Sequence, residues 1–133
     1  MADPKVAREV AEQEFDRMCA ARRIECDVST MNDGDKAGFD AIKSWLVPVI
    51  MRGELVIEDD GSPTFTPPGR RAMTFRKVTG ATLVTADKTN GGEVAKQVAV
   101  MAELTGINPG EFSKLDLADF RVCSDLVRLF LAR

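Results

Sequence analysis

Two adjacent carboxylates, Asp59 and Asp60, stand directly before Gly61. Enzymes use acid pairs of this kind as divalent-metal ligands or as a general acid and base. A metal loop needs several more oxygen ligands at set spacings, and Glu58-Asp59-Asp60-Gly61-Ser62-Pro63 does not supply them. The pair reads instead as turn chemistry, since Asp60-Gly61 is a strong hairpin signal. Thr89-Asn90-Gly91-Gly92 precedes a helical pattern, and its amides could hold an anion at the helix start. No Gly-Lys-Ser/Thr follows, so the stretch reads as a turn between helices. Ser29, Ser44, Ser62, Ser113 and Ser124 lie outside any Gly-x-Ser-x-Gly elbow, and no histidine is present to activate a hydroxyl.

The absence of histidine also removes His-ligated zinc and the usual neutral-pH proton shuttle. Cys19, Cys26 and Cys123 are odd in number and form no Cys-x-x-Cys pair, so they read as reduced, partly buried thiols of a cytosolic protein. No catalytic constellation remains, and we expect a protein without enzymatic activity, cofactor or metal. Eighteen basic against twenty-one acidic residues give a net charge of −3, which argues against a general nucleic-acid binder. Arg70, Arg71, Arg76 and Lys77 form the one basic cluster with a nearby aromatic, Phe75. It fits a solvated strand face, a dock for an acidic partner, or phosphate contact. Trp45 is the sole tryptophan and suits either the core or an interface anchor. Met51 is one of six methionines, side chains that fill cores or adapt to partners. Trp45, Met51, Arg70, Arg71, Phe75, Arg76 and Lys77 are therefore the candidate partner-binding residues.

These residues must be carried by a chain of 133 residues, a length suited to one domain spanning 1–133. Asp3 as a cap and Pro4 at the first helical position predict a helix over about 4–23, with Ala7, Ala11, Phe15 and Met18 on its apolar stripe. A second helix is expected over about 35–52, capped from Thr30 or Asp33. Phe39, Ile42, Leu46, Val49 and Ile50 form its stripe, Pro48 should kink it or end it early, and Gly53 should close it. The period then switches from helical to two. Strands are predicted over about 54–58, 63–66 and 73–78, followed by helices over about 80–88, 92–105, 109–114 and 117–131. Thr79 and Asn108-Pro109 supply start signals. The expected fold is α+β: mainly helical, with a small three-stranded antiparallel sheet. The stripes at Phe15/Met18 and Phe120/Val127/Phe130 offer more apolar surface than so small a sheet covers, which predicts self-association. No apolar run is long enough to span a bilayer, and Met1-Ala2-Asp3-Pro4-Lys5 opens into charged helix rather than an apolar signal core.

The second half, about Met73 to Leu131, resembles the tail assembly chaperones of long-tailed bacteriophages, with the nearest likeness to those of lambdoid siphophages. The strand Thr74-Phe75-Arg76-Lys77-Val78 runs straight into Thr79-Gly80-Ala81-Thr82-Leu83. The helix holding Val94, Val98 and Met101 ends in Leu104-Thr105-Gly106-Ile107-Asn108-Pro109, and Leu115-Asp116-Leu117-Ala118-Asp119-Phe120 opens the last helix. The resemblance implies a non-catalytic protein that coats the tape measure protein in the host cytoplasm, keeps it soluble and helps recruit tail tube protein. It also implies absence from the mature virion. A small nucleic-acid-binding regulator and a non-catalytic accessory domain of an enzyme are the alternatives.

Overall fold

A computed structural model describes residues 6–22, 24, 29 and 31–131. Among them the order is α1 (Arg8–Ala21), α2 (Asp33–Met51), β1 (Leu55–Ile57), β2 (Pro63–Phe65), β3 (Met73–Thr74), α3 (Gly80–Lys88), α4 (Glu93–Thr105), α5 (Pro109–Phe112) and α6 (Leu117–Leu131). The fold is mainly helical α+β with one small three-stranded antiparallel sheet, in the order β1-β2-β3.

Helix α1 begins later than its sequence suggests. Asp3 and Pro4 lie outside the described residues, as do Arg23 and Thr30. Ala7 is extended, and the Val6 amide donates to the Met51 carbonyl at 3.1 Å. That bond ties the approach to α1 to the end of α2, so Val6 and Ala7 do not join the helix. Asn32 starts α2, its side chain accepting from the Asp35 amide at 2.7 Å. Pro48 does not end α2, which continues to Met51. A mid-helix proline costs about 3 kcal/mol. Val49 and Ile50 beyond it are both buried, and burying each stabilises by roughly 1.5–3 kcal/mol, enough to hold the last turn. The helix closes in a Schellman motif: Gly53, at φ 79°, donates to the Ile50 carbonyl, and Glu54 to that of Val49.

The register pairs Leu55 with Phe65, Ile57 with Pro63, and Phe65 with Met73. These side chains face inward and are buried, and Leu55, Ile57, Phe65 and Met73 join one cluster with Phe15, Met18, Leu46, Met101 and Leu126. Val56, Thr64 and Thr74 face outward, and the two threonine hydroxyls lie 2.8 Å apart across the strands. Strand β3 is shorter than the predicted 73–78 because α4 takes over its hydrogen bonding. The Phe75 amide still donates to Pro63, but the Arg76 amide donates to the Leu104 carbonyl at 3.0 Å. At the other edge Arg17 donates to the carbonyls of Ile57 and Glu58 at 2.7 and 2.8 Å. Ile57 at one edge and Arg76 just past the other thus find partners within the chain.

Helix α1 also holds the hairpin turn. Gly61 sits at φ +87°, and a Cβ built there would lie 2.2 Å from the Ala21 Cβ. Gly69 has a similar φ of +74° with nothing within 4 Å. Both Gly69→Ala and Gly61→Ala should lose about 1–2 kcal/mol from left-handed backbone strain. Gly61→Ala should lose roughly 1–3 kcal/mol more, because the turn must move off α1. Urea unfolding of the two variants side by side measures that difference, and equal losses would show that the turn does not bear on Ala21.

Candidate functional site

The residues that resemble catalytic parts are structural. Asp60 is exposed and accepts the Ser62 amide at 2.9 Å. That bond, then the Ser62 hydroxyl, then the more distant Arg22 hold its carboxyl below the usual range. Gly91, at φ 115°, and Gly92 turn the chain from α3 into α4. Cys19 and Cys123 are buried, and Cys26 lies outside the described residues. Burial, with Asp119 nearby, pushes the Cys123 thiol up to about 12, so it stays protonated and unreactive at neutral pH. Among the described residues no three His, Cys, Asp or Glu side chains are grouped to hold a metal ion, and no helix is long and apolar enough to cross a membrane.

The basic cluster is taken apart by the fold. Phe75 is fully buried and belongs to the core, so it presents no surface to a partner. Arg76 donates through Nε to the Leu104 carbonyl at 3.0 Å and through Nη2 to the Glu103 carbonyl, at the C-terminal end of α4. Arg70 reaches the Lys114 carbonyl just beyond α5 at 2.7 Å. Arg76 thus satisfies carbonyls that the end of α4 leaves open, and Arg70 one in the turn after α5. Arg71 and Lys77 remain exposed and make no ion pair among the described residues. Trp45 is half-buried on α2, with the Arg121 guanidinium of α6 stacked 4.2 Å from its ring centroid. It joins two helices rather than projecting as an anchor. Met51 is half-buried at the end of α2.

The stripes that suggested self-association are covered. Phe15, Met18 and Val127 are fully buried and Phe130 nearly so, while Phe120 is half-buried. The helices bury them against one another, a contribution that counting sheet surface alone overlooks. Exposed large apolar side chains are instead dispersed over several elements: Val10, Val56, Leu83, Val84, Val94 and Leu117.

A cleft of about 580 Å³ opens between the first half of α2, the start of α4 and the end of α6. Phe39 and Ile42 form one wall, and Val127, Leu129 and Leu131 the opposite one. Asp35, Glu93, Gln97 and Arg128 also line it, as do Ile24 and Met31 from the stretch between α1 and α2. Gly34 and Gly38 keep the α2 side low, and a Cβ at Gly38 would meet nothing within 4 Å. The sequence signal for this cleft is that glycine pair, four residues apart in a helical pattern. It was not among the candidate residues. The apolar side chains along it are themselves almost wholly buried, Val127 and Leu129 at 0% and 2% exposure, so the cleft is a depression over the core.

A family model described as "Phage tail assembly chaperone proteins, E, or 41 or 14" matches residues 66–132. The chain belongs to that family. No curated protein and no solved structure matches it. The chaperone match begins at Thr66, immediately after β2, and runs through β3 and α3 to α6. It therefore takes in the α4 and α6 walls of the cleft, while the α2 wall comes from residues before the matched region. The likeness to lambdoid siphophage chaperones in particular rests on motif order alone.

Helix α6 of the chaperone carries one buried charge. Asp125 is 3% exposed, and its ion-pair partner is Arg128 at 3.7 Å, on a side chain that is largely exposed. Burial raises the carboxyl above its ordinary value, and Arg121 and Arg128 only partly oppose this. A carboxyl raised in the folded state favours folding when protonated. Its penalty is absent below the unfolded value and grows as pH rises through the folded one. Asp125→Asn should therefore gain stability relative to wild type at neutral pH, and the gap should close on acidification to about pH 3–4. Thermal melts of both proteins across that range test this. A gap independent of pH would mean that the carboxylate carries no such penalty.

Proposed function

We propose that this chaperone binds the tape measure protein, keeps it soluble in the host cytoplasm while the tail is built, and helps recruit tail tube protein, without catalysis and without remaining in the virion. Membership of the tail assembly chaperone family carries this reading. Two features of the chain support it. A cleft among α2, α4 and α6 gives a partner a concave place to bind. The residue types that would carry enzymatic chemistry are turn residues, buried thiols or helix-end struts.

Arg71 and Lys77 supply a second, weaker contact for acidic stretches of a tail protein, while Trp45, Met51, Arg70, Phe75 and Arg76 shape the scaffold. The regulator alternative loses support, because Arg70 and Arg76 donate to backbone carbonyls, which leaves Arg71 and Lys77 as the cluster's cations not committed to holding a carbonyl among the described residues, where phosphate binding needs several.

Co-expression with the tape measure protein of the same phage tests the proposal. The client should move from the insoluble to the soluble fraction and co-purify with this chain, and the complex should survive about 0.5 M salt, since exposed ion pairs contribute little. An equally insoluble client with no co-purification refutes tape-measure binding. A complex that dissolves at that salt keeps the partner and replaces the apolar contact with Arg71 and Lys77.

A further inference from the structure

We propose that α3 is a hinged strap, which lifts off α4 as a unit while the rest of the chain stays folded. The helix is turned inside out. Thr82, Thr85 and Ala86, with Thr89 at its C-terminal cap, recur at steps of three and four and are its buried or half-buried positions. The larger Leu83 and Val84 are each 51% exposed. Nine residues fall below the roughly 12–15 under which an isolated helix is marginal in water, so α3 depends on tertiary contact. Hydrophobic stabilisation follows the apolar area removed from water. For α3 that area comes from threonines and one alanine. Helix α4 buries Val100, Met101 and Leu104, and α6 buries Val122, Leu126, Val127, Leu129 and Phe130.

Polar bonds tie the strap down at each end. The Thr82 hydroxyl donates to Glu103 Oε2 at 2.9 Å, and Lys96 Nζ donates to the Ala86 carbonyl at 3.4 Å. The chain on either side is held without α3. Before it, the Arg76 amide and Nε both donate to the Leu104 carbonyl at 3.0 Å, and Val78 packs against the core. After it, Val100, Met101 and Leu104 seat α4 in that core. Extended Thr79 is one hinge. Exposed Asn90, Gly91 and Gly92 form the other, with Gly91 at φ 115° in backbone that a side chain would strain. Opening at these two points breaks the contacts of α3 with α4 and leaves the sheet, α4 and α6 intact. It uncovers the face of α4 that carries Lys96, Ala99 and Glu103, which lie on one side of that helix.

Amide hydrogen exchange of the full chain, followed by NMR at low urea concentrations, tests the hinge. It needs no tape measure protein, so its outcome is independent of the chaperone reading. The amides of residues 84–88 should be protected, but about a hundredfold or more less than those of residues 124–130 in α6. Their exchange should respond little to urea, because a local opening exposes little surface. Two variants separate local from global opening. Gly69→Ala strains the backbone before β3, far from α3 in sequence and with nothing within 4 Å of the added Cβ. It should lower the protection of α6 about tenfold and leave that of α3 unchanged. Thr82→Val keeps the side chain's shape but removes its hydroxyl bonds to Thr79 and Glu103, and should lower the protection of α3 about tenfold. Equal protection and equal urea dependence of α3 and α6 overturn the proposal, as does a Gly69→Ala effect shared by both helices. An unchanged α3 in Thr82→Val overturns it as well. So does exchange of the wild-type residues 84–88 at the rate of an unfolded chain, since α3 would then not be docked at all.

Discussion

Arg22 is where the separate parts of this molecule meet. It follows the last turn of α1, and its Nη2 reaches both the Ser62 hydroxyl at 3.0 Å and the Phe75 carbonyl at 2.7 Å. The face of the same guanidinium lies 5.0 Å from the ring centroid of Phe130 on α6. One side chain thus joins α1, the hairpin, the exit from β3 and the last helix. Burial lowers its pKa, only partly offset by Asp60. Yet a guanidinium remains charged at any physiological pH, and it can make such contacts only because its planar fork donates in several directions at once. Its Nη1 is buried without a partner among the described residues. A lysine has one donor centre and could not hold the same set.

The reason so much depends on that node is the size of the sheet. Strands of three, three and two residues cannot stand alone in water. Their inner face is buried by packing of α1 and α2 on β1 and of α4 on β3. At their edges an arginine side chain and a helix C-terminus, rather than further strands, take up the Ile57 carbonyl and the Arg76 amide. Helix α3 is held more loosely. It packs on α4 and buries only Thr82, whose hydroxyl accepts from the Thr79 amide and donates to Glu103. The chaperone combines a well-anchored centre with a peripheral helix, and its cleft lies among α2, α4 and α6.

Most elements were legible locally. Period-two patterning from Leu55 onward, Asp60-Gly61, Gly53 and Asn108-Pro109 act over a few residues, so the sheet, the turns and the helix ends follow from the chain's own chemistry. The order of strand and helices after Met73 carried the family likeness, and the matched region covers that stretch. What the sequence alone could not settle was which side of each element would be covered. Phe75 and Arg76 are neighbours in a basic, aromatic run, yet one is core and the other a strut, because α4 ends beside β3. The stripes on α1 and α6 looked like surplus apolar surface, but helix-on-helix packing consumes them. The cleft depends on how far α2, α4 and α6 diverge, a long-range quantity set by packing. Element identity is a local matter of hydrogen bonds and dihedrals, whereas exposure depends on contacts between residues distant in the chain.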